Sequence, residues 1–406
     1  MCECCTPRTS GRIWLFVIAV VCGIICGCSG VAFLEATGKY CSEIFVKIFR
    51  CISMPIISLS VIVALSSYGS DRSMMKIWKK TLSYTVTTTI AAAALSAILY
   101  VAIAPQNVVM DFEATAATKL QSGEYSKYLI NIVPDSIIGA FANHQVLSVL
   151  LISIIFGLSI RFIREPDTKN TVISFFKGIH SVFFTITKFI VKILPIGMFG
   201  FITVSVTQLR AGTGLKGMGS YFLVIIAANI LQGIGILPAM LLYKKIGPVK
   251  LFRAMAPALS VAFFSKSSSA ALPVTMETAE TKLGVNPKIS RFVLPLCTTI
   301  NMNGCAAFIF TTVIYVMQNY GVEITPITML TWILIATITA IGNASVPMGC
   351  FFLSASLLSS MDIPMPLLGV ILPVYSVIDM LETSLNVWSD TCIATVINDQ
   401  FPGQPN

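Results

Sequence analysis

The stretch Ser265–Pro273, SKSSSAALP, is a small polar cluster between two apolar halves, each too short to span a membrane comfortably as a helix. The stretch Gly342–Pro347, GNASVP, interrupts a second apolar region in the same way. Non-helical backbone at membrane depth is tolerated only where protein or a water-filled cavity surrounds it. The two stretches therefore predict two re-entrant helical hairpins beside a cavity, with ordinary surface loops as the alternative.

The rest of the chain has the composition of a membrane protein. Of its 406 residues, 55% are hydrophobic and 11% are charged, which is far more apolar than a soluble domain needs to be. Two long apolar helices are predicted after the hairpins, at 288–318 and 365–398. Six conventional spans are predicted before them, at 13–36, 42–69, 80–105, 129–163, 172–207 and 218–246. The predicted fold class is an all-α membrane protein with eight transmembrane helices plus two re-entrant hairpins.

The charges predict an orientation rather than a nucleic-acid partner. The formal net charge is +9, but the basic residues fall mainly in alternate loops between apolar runs, which places these loops and the N-terminus in the cytoplasm. If the first hairpin enters from the cytoplasm after Arg253, the second enters from outside, so the two form inverted repeats. Paired interrupted segments of this kind mark a midplane binding site in secondary transporters, a rule that rests in part on the family named below.

The 12 cysteines predict no disulfide framework, because most lie in apolar runs where a cysteine behaves as a small hydrophobe. Cys2, Cys4 and Cys5 have no nearby histidine and no second CxxC, so a zinc site is not expected, and acylation or an inert tail remain open. A signal peptide cleaved near Cys28 is disfavoured, since the first apolar run continues to Phe33.

The stretch Asp379–Asp390, DMLETSLNVWSD, places three acids in a very apolar region, and no Lys or Arg follows Arg291. One intramembrane acid costs about 2.5 to 3.5 kcal/mol. Each carboxylate must therefore meet a proton, a metal ion, a substrate amine or a basic residue from elsewhere. Lys266, in the first hairpin, is one candidate, but one lysine cannot neutralise three acids. At this spacing one helical stripe carries Asp379, Glu382, Thr383, Asn386 and Asp390.

The stretch Thr298–Cys305, TTINMNGC, interrupts the preceding helix. Its Asn and Gly residues favour unwound backbone, which turns carbonyl oxygens towards a cavity. Oxygen ligands suit a hard cation such as Na⁺, and this half of the chain has no histidine, so no transition-metal site is predicted. The serines of the first hairpin can hold a carboxylate at a half-helix end, and Asp379 can meet an amine. Together they predict a receptor for an α-amino acid.

In SKSSSAALPVTM, LPLCTTINMNGC, GNASVP and DMLETSLNVWSD the chain resembles the dicarboxylate/amino acid:cation symporters, the glutamate transporter family. The resemblance covers most of the chain. It implies a homotrimeric, multi-pass protein of the inner or plasma membrane, with an elevator-type transporter fold gated by the hairpins, and not an enzyme. The implied division is a cytoplasmic tail (1–12), mainly scaffold helices (13–250, apart from transport-domain helices near 80–105 and 218–246), a core transport domain (251–399) and a C-terminal tail (400–406).

The resemblance also implies residue roles. Asp379 would meet the substrate amine, and Asn386 the substrate carboxylate. The other residues assigned to the substrate site are Ser267, Ser268, Ser269, Met302, Cys305, Val346, Glu382 and Thr383. The residues assigned to cation sites are Cys297, Thr299, Asn301, Asn303, Asn343, Asn386 and Asp390.

Three positions depart from the family pattern. The family pattern in this stretch is NMDGT. Asn303 stands at the position of its Asp, which weakens one sodium site, and Cys305 stands at the position of its Thr. Glu382 stands where members that carry acidic amino acids have Arg, a charge reversal that opposes an acidic substrate. A neutral or cationic amino acid is therefore favoured over glutamate.

The favoured hypothesis is a secondary active symporter coupled to Na⁺ or H⁺, with no organic cofactor. A glutamate/aspartate or C4-dicarboxylate:cation symporter is the alternative within the family. Two alternatives come from other classes. One is an ion channel, and the other is an intramembrane aspartyl protease that uses Asp379 and Asp390, although its paired YD and GxGD motifs are absent.

Overall fold

The computed structural model describes residues 10–66, 72–108, 133–143, 145–210, 218–343, 348–361, 363–364 and 366–401. The described residues form helices and no strand, which confirms the all-α prediction. Val346 and the cysteines at positions 2, 4 and 5 lie outside this part of the chain.

Fifteen helices are described within these ranges. They are α1 (Ser10–Ser29), α2 (Ala32–Ser66), α3 (Arg72–Ile103), α4 (Ile137–Ala142), α5 (Val146–Arg161), α6 (Pro166–Arg210), α7 (Met218–Leu231), α8 (Leu237–Tyr243), α9 (Pro248–Ser265), α10 (Ser268–Lys282), α11 (Pro287–Ile300), α12 (Asn303–Asn319), α13 (Pro326–Ile341), α14 (Gly349–Ser360) and α15 (Pro366–Gln400). A π-helical turn, Gln232–Ile236, joins α7 to α8.

The first two predicted spans have the wrong bounds. The sequence pattern places them at 13–36 and 42–69, but α1 ends at Ser29 and α2 begins at Ala32. Gly30 adopts a left-handed conformation, with φ of 71°, which glycine reaches without a steric penalty. The hydroxyl of Ser29 donates a hydrogen bond to the carbonyl of Cys26. A local turn therefore ends α1 although the apolar run continues.

Helices α1, α2, α5 and α6 form one packed group. Small residues allow their backbones to approach closely, as in membrane helix pairs. A Cβ atom on Gly200 of α6 would lie 2.6 Å from the backbone nitrogen of Ser42 on α2. The Arg210 guanidinium at the end of α6 donates to the Glu35 carboxylate of α2 at 2.8 Å.

The other long helices pack around α12 and α15. Every residue of α12 from Asn303 to Met317 is buried, and α3, α7, α13, α14 and α15 all contact this helix. Helices α9, α10 and α11 pack against α15 from its other sides. The two groups touch through α6 and α15 and through α2 and α14. The core of this second group is where polar residues collect.

Both interrupted regions contain a break between two helices. Between α9 and α10, Lys266 has a φ of 53° and Ser267 is extended, so the chain turns and the two helices pack together. The Ser267 hydroxyl caps α10 by accepting a hydrogen bond from the backbone nitrogen of Ala270. Helices α13 and α14 lie on either side of the second break, and both pack on α12.

Three helical segments in the described ranges are long and apolar enough to cross a membrane: Met75–Ile103, Met218–Tyr243 and Pro287–Asn319. The last of these combines α11 and α12 across the break predicted at Asn301 to Gly304, and the structure confirms that break at Asn301 and Met302. The count of eight spans and the re-entrant hairpins stay predictions.

Candidate functional site

One face of α15 carries the acidic residues into the core. Asp379, Glu382 and Asp390 are 6%, 1% and 1% exposed, and Thr383 and Asn386 between them are also buried. Helix α15 runs without interruption from Pro366 to Gln400, so residues three or four apart lie above one another. The predicted acidic stripe is thus confirmed as a feature of the helix.

The break between α11 and α12 faces this stripe. Asn301 and Met302 have non-helical ψ angles of 80° and 63°. A helix end leaves its last carbonyls and the next helix's first N–H groups without intrahelical partners, and the carbonyl end carries partial negative charge. The break therefore offers acceptor oxygens beside Asp390 and donors beside Asn386.

Uncharged side chains surround Asp390 and form hydrogen bonds with it and with one another; together with Asp390 they are called the polar cluster. Asn301 Nδ2 donates to Asp390 Oδ1 at 2.8 Å and lies 2.9 Å from Ser389 Oγ. Thr298 Oγ1 donates to Asp390 Oδ2 at 3.4 Å. Asn303 Nδ2 donates to Ser389 Oγ at 2.7 Å. The full polar cluster is Thr88, Thr89, Thr298, Asn301, Asn303, Ser389 and Asp390.

Helix α3 completes the polar cluster from a distant part of the chain. Thr88 donates to Asn301 Oδ1 at 3.3 Å, and Thr89 donates to Asn303 Oδ1 at 3.0 Å. Gln232, in the π-helical turn, donates to the carbonyl of Thr88 at 3.1 Å. Within the described ranges no salt bridge reaches Asp390. The carboxylate thus sits among amides and hydroxyls with no fixed positive charge bonded to it.

Asn386 links the polar cluster to a second group of residues. Its Oδ1 accepts a hydrogen bond from the backbone nitrogen of Gly304 at 2.9 Å. Its Nδ2 lies 3.5 Å from the sulfur of Met302. Asn386 therefore fixes the first turn of α12 against the middle of α15.

The second group, called the acid–sulfur cluster, surrounds Asp379 and Glu382. It consists of Met302, Cys305, Asn343, Cys350, Tyr375, Asp379 and Glu382. Tyr375 donates to Asp379 Oδ1 at 3.4 Å, whereas Asp379 Oδ2 has no hydrogen-bond partner in the described ranges. Asn343 Nδ2 lies 3.5 Å from the sulfur of Cys350.

Glu382 is the least compensated of the three acids. Neither of its carboxylate oxygens has a hydrogen-bond partner among the described residues, although the Cys350 thiol and the Tyr375 hydroxyl lie nearby. Burying a charged group without a partner is costly, so this side chain needs a proton or a cation that enters the site.

Lys266 interacts with Asp379. Its ammonium group donates to the hydroxyl of Ser376, one turn before Asp379, and interacts electrostatically with the Asp379 carboxylate. The lysine thus brings the first break next to Asp379.

The remaining predicted residues lie at different depths. Ser268 is buried, Ser267 is half-buried and Ser269 is exposed at the start of α10. Thr299 donates back to the carbonyl of Leu296 on its own helix at 2.7 Å, and its neighbour Thr298 is the one that reaches Asp390. Cys297 is buried near Asp390 and Thr85.

Four members of the polar cluster lie outside the predicted set: Thr88, Thr89, Thr298 and Ser389. A local signal existed for two of them, because TVTTT at residues 85–89 is a hydroxyl-rich run inside an apolar span. The local sequence does not, however, indicate that residues 88 and 89 contact Asn301 and Asn303. In the acid–sulfur cluster, Cys350 and Tyr375 also lie outside the predicted set.

Gly304 is expected to be intolerant of a side chain. A Cβ atom there would lie 2.8 Å from the Cα of Glu382 and 2.9 Å from Asn229 Oδ1. Because the nearest atom is backbone, Gly304→Ala should lower the free energy of unfolding by about 1 to 3 kcal/mol, measured by thermal unfolding in detergent.

The matched control for this variant is Gly219→Ala on α7, where a Cβ atom meets nothing within 4 Å. Alanine favours a helix over glycine by about 1 kcal/mol, so Gly219→Ala should not destabilise the protein. Equal melting temperatures for Gly304→Ala and the unmodified protein would contradict the close packing of α12 on α15.

The chain is similar to known proteins over most of its length. Residues 13–400 match the model of the sodium:dicarboxylate symporter family. The chain is 26% identical to the proton/sodium-glutamate symport protein of Bacillus caldotenax, over 98% of this chain and 96% of that protein. It is 27% identical to the C4-dicarboxylate transport protein of Laribacter hongkongensis, over 94% of this chain and 87% of that protein. It is 24% identical to the neutral amino acid transporter B(0) of Rattus norvegicus, over 96% of this chain and 80% of that protein.

The match extends over nearly all of the chain and includes both breaks, the interrupted α11–α12 pair and the acidic face of α15. Proteins of this family are symporters and not enzymes, which confirms the prediction of a transporter made from the four stretches. The chain is therefore an integral membrane protein that belongs to the sodium:dicarboxylate symporter family.

Proposed function

We propose that this protein is a secondary active symporter that carries a neutral or cationic amino acid together with Na⁺ or H⁺. The observation that carries the proposal is Asp390, a buried carboxylate held by amides and hydroxyls in a chain segment that has no Lys or Arg after Arg291. Relatives that carry glutamate, C4-dicarboxylates and neutral amino acids support a cation-coupled carrier of small acids or amino acids.

The polar cluster supports the cation half of the proposal. Its side chains supply carboxylate, amide and hydroxyl oxygens, and the end of α11 adds carbonyl oxygens, the ligands that a hard cation prefers. Asn303 contributes an amide where the family pattern has a carboxylate, and its side chain is already satisfied by Ser389 and Thr89. We therefore place the coupling cation at Asp390, Asn301, Asn386 and Cys297, and expect a weaker site or none at Asn303.

The acid–sulfur cluster supports the substrate half. The unpartnered Oδ2 of Asp379 is suited to a substrate amine, and the serines of the first break with Asn386 are suited to a carboxylate. Glu382 lies one turn from Asp379, and its carboxylate has no hydrogen-bond partner among the described residues. A guanidinium or ammonium group on the substrate would satisfy it, while a substrate carboxylate would be repelled.

For the whole molecule we propose the elevator arrangement. The packed group of α1, α2, α5 and α6 would be the scaffold, within residues 13–250, and the group around α12 and α15 would be the transport domain, with residues 251–399 as its core. The break at Lys266 would be the tip of one gate, and the sequence stretch 342–347, which lies partly outside the described residues, would be the tip of the other. A homotrimer in the plasma membrane with a cytoplasmic N-terminus completes the proposal.

A different class of function, the intramembrane aspartyl protease, does not fit the structure. Asp379 and Asp390 are on one continuous helix and separated by three turns, about 16 Å along its axis. Two carboxylates that share a proton must lie within a few ångströms of each other. The two aspartates therefore cannot act as a catalytic pair in this arrangement.

The test of the proposal is uptake into proteoliposomes. With an inward Na⁺ or H⁺ gradient, we expect arginine or alanine to accumulate and glutamate to accumulate less. Uptake that is indifferent to both gradients would contradict symport, and steady single-channel currents without any substrate would favour a channel instead.

Binding can be measured without transport by thermal unfolding of the purified protein against all amino acids and C4 dicarboxylates. A ligand at one hundred times its dissociation constant stabilises the folded state by about 2.7 kcal/mol. Because coupled sites are reciprocal, Na⁺ should enlarge the shift given by the true substrate, and the substrate should enlarge the shift given by Na⁺. Independent shifts would contradict coupling.

A further inference from the structure

An apolar crevice lies behind α15, outside the polar cluster and the acid–sulfur cluster. Its volume is about 550 Å³, within the range of about 300 to 1,000 Å³ that is usual for small-molecule sites. It is formed by α7, the π-helical turn, α8, α9 and α15. The lining residues of α15 are Leu381, Ser384, Leu385 and Trp388, which lie on the face opposite the acidic residues. The crevice is therefore a separate feature of the fold.

The crevice is suited to an apolar occupant. Three of its lining residues carry side-chain donors, Asn229, Ser384 and Trp388. Each of them donates to a backbone carbonyl of the protein, at 2.8, 3.4 and 3.0 Å respectively. The remaining lining residues are glycine, proline, aliphatic residues and a phenylalanine. A polar ligand would find no free side-chain donor there, whereas an apolar chain would leave no hydrogen bond unmade.

The crevice opens sideways to the hydrocarbon of the membrane. Four of its lining residues, Ile230, Ile234, Val249 and Phe252, are 43%, 70%, 62% and 51% exposed. The first two lie on Met218–Tyr243, a segment long and apolar enough to cross a membrane, so their exposed side chains contact lipid. From Asn229 to Pro238 the crevice follows this segment for about 14 Å, the rise of nine helical residues. It thus runs in the direction of a lipid acyl chain.

One end of the crevice lies at the turn between α8 and α9. Pro238 on α8 and Pro248 at the start of α9 both line the crevice. Tyr243 at the end of α8 is 83% exposed, and tyrosine is enriched where a membrane-spanning helix meets the lipid headgroups. The turn therefore lies at the level of the headgroups, next to a crevice at the level of the acyl chains.

Four basic residues lie in this turn or in the first two turns of α9. They are Lys244, Lys245, Lys250 and Arg253, here called the basic turn. Among the described residues none of the four has a salt bridge. The chain also contains no Asp or Glu between Asp167 and Glu277. The positive charge of the basic turn is therefore not neutralised by acids nearby in the chain, and it attracts anions.

We propose that the crevice binds one acyl chain of an anionic phospholipid, whose phosphate lies against the basic turn. Lysine and arginine donate charge-assisted hydrogen bonds to phosphate oxygens. Basic clusters at a membrane surface favour headgroups with a net negative charge over zwitterionic ones. The apolar crevice thus holds the chain, and the basic turn selects the headgroup. This lipid site needs only the membrane and does not rest on the proposed function.

The experiment places the purified full-length protein in phosphatidylcholine nanodiscs with a small fraction of phosphatidylglycerol that carries a diazirine on its acyl chain. After illumination, the labelled positions are identified by mass spectrometry. The decisive positions are Leu385 and Trp388, which line the crevice but are 6% and 3% exposed, so lipid outside the crevice does not reach them.

Phosphatidylglycerol should label these two positions about tenfold more than phosphatidylcholine with the same photoreactive chain, because two or more basic residues attract its headgroup. Leu223, which is 55% exposed on α7 and does not line the crevice, should be labelled equally by both lipids.

The charge of the basic turn is tested by a combined variant, Lys244→Gln, Lys245→Gln, Lys250→Gln and Arg253→Gln. It should lower the labelling of Leu385 and Trp388 by phosphatidylglycerol about tenfold, to the level given by phosphatidylcholine. The matched control combines Lys76→Gln, Lys79→Gln and Lys80→Gln, on exposed positions of α3 that do not line the crevice. This control should leave the labelling unchanged.

The apolar part of the site is tested at its opening. Ile230→Trp adds bulk to a lining residue and should lower the labelling of Leu385 and Trp388 by both lipids. The matched control is Leu223→Trp, two helical turns away on the same side of α7, which should leave the labelling of both positions unchanged. If Ile230→Trp does not fold, the combined variant of the basic turn, which changes surface residues, still decides.

The outcomes distinguish the two parts of the site. Absence of labelling at Leu385 and Trp388 by either lipid would overturn the crevice as a lipid site. Equal labelling by the two lipids, or labelling by phosphatidylglycerol that survives the four substitutions, would overturn the selection of an anionic headgroup. An equal loss in the α3 control would overturn it too, because any surface charge would then suffice. Amino acid uptake enters none of these measurements, so a failure of the proposed function leaves them unchanged.

Discussion

Replacing Asp390 by Asn is expected to lower gradient-driven uptake by about a hundredfold or more. The substitution keeps the size of the side chain and the oxygen that accepts from Asn301, and it removes the negative charge. A buried charge that loses its partner interaction changes binding by roughly 3 to 5 kcal/mol. Because about 1.4 kcal/mol corresponds to a factor of ten in affinity, a loss of even about 3 kcal/mol lowers the affinity for the coupling cation by about a hundredfold.

The measurement is substrate uptake at a series of Na⁺ concentrations and pH values, together with the thermal shift that Na⁺ produces. Asp399→Asn is the matched control, since it makes the same change on an exposed position of α15. This control should retain uptake and cation dependence. An Asp390→Asn protein with an unchanged response to Na⁺ and to pH would remove Asp390 from the cation site.

Replacing Glu382 is expected to change which substrates bind. Glu382→Gln keeps the shape but cannot attract a cation, so the preference for arginine over alanine should fall by at least about tenfold, the value of one charge-assisted hydrogen bond. Glu382→Arg should go further and favour aspartate or glutamate, because a guanidinium group can hold a second carboxylate in a bidentate contact.

The measurement is competition between arginine, alanine and glutamate for binding, followed by thermal shift. Glu277→Gln, on an exposed position of α10, is the matched control and should leave the preference unchanged. Arginine is larger than glutamate, and Gly304 packs on the Cα and Cβ atoms of Glu382, so the melting temperature of Glu382→Arg is measured first. If Glu382→Gln folds and its preferences are unaltered, Glu382 is not part of the substrate site.

The two predictions probe different halves of the same helix. Among the described residues, Asp390 has hydrogen-bond partners and the Glu382 carboxylate has none, although both side chains are nearly inaccessible. A coupling cation can neutralise Asp390, and a positively charged group of the substrate can neutralise Glu382. If both assignments hold, Asp390→Asn changes how uptake depends on the Na⁺ concentration and pH, and Glu382→Gln changes which substrates bind.

Short stretches were enough to predict several features of the fold. Asn301, Asn303 and Gly304 mark the break between α11 and α12, and the spacing of Asp379, Glu382 and Asp390 places them on one helical face. These features depend on neighbours in the chain, through backbone preference and helical period. The end of α1 was placed wrongly because the hydrophobic run continues past Gly30, whose left-handed turn stops the helix.

Contacts between distant residues were beyond the reach of the sequence pattern. Thr88 and Thr89 come from α3 to bond Asn301 and Asn303, more than 200 positions later in the chain. Such pairs are selected by the packing of whole helices, and residues in each helix carry no local mark of the partner.

The sequence by itself determined the membrane class, the two breaks and the shortage of fixed positive charge beside three acids. These features depend on composition and short-range spacing. The tertiary structure alone decided how each acid is accommodated. Asp390 accepts hydrogen bonds from an amide and a hydroxyl, Asp379 interacts with Lys266, and Glu382 has no hydrogen-bond partner among the residues that the structure describes. These differences arise because the neighbours of a buried side chain are set by which helices pack against it.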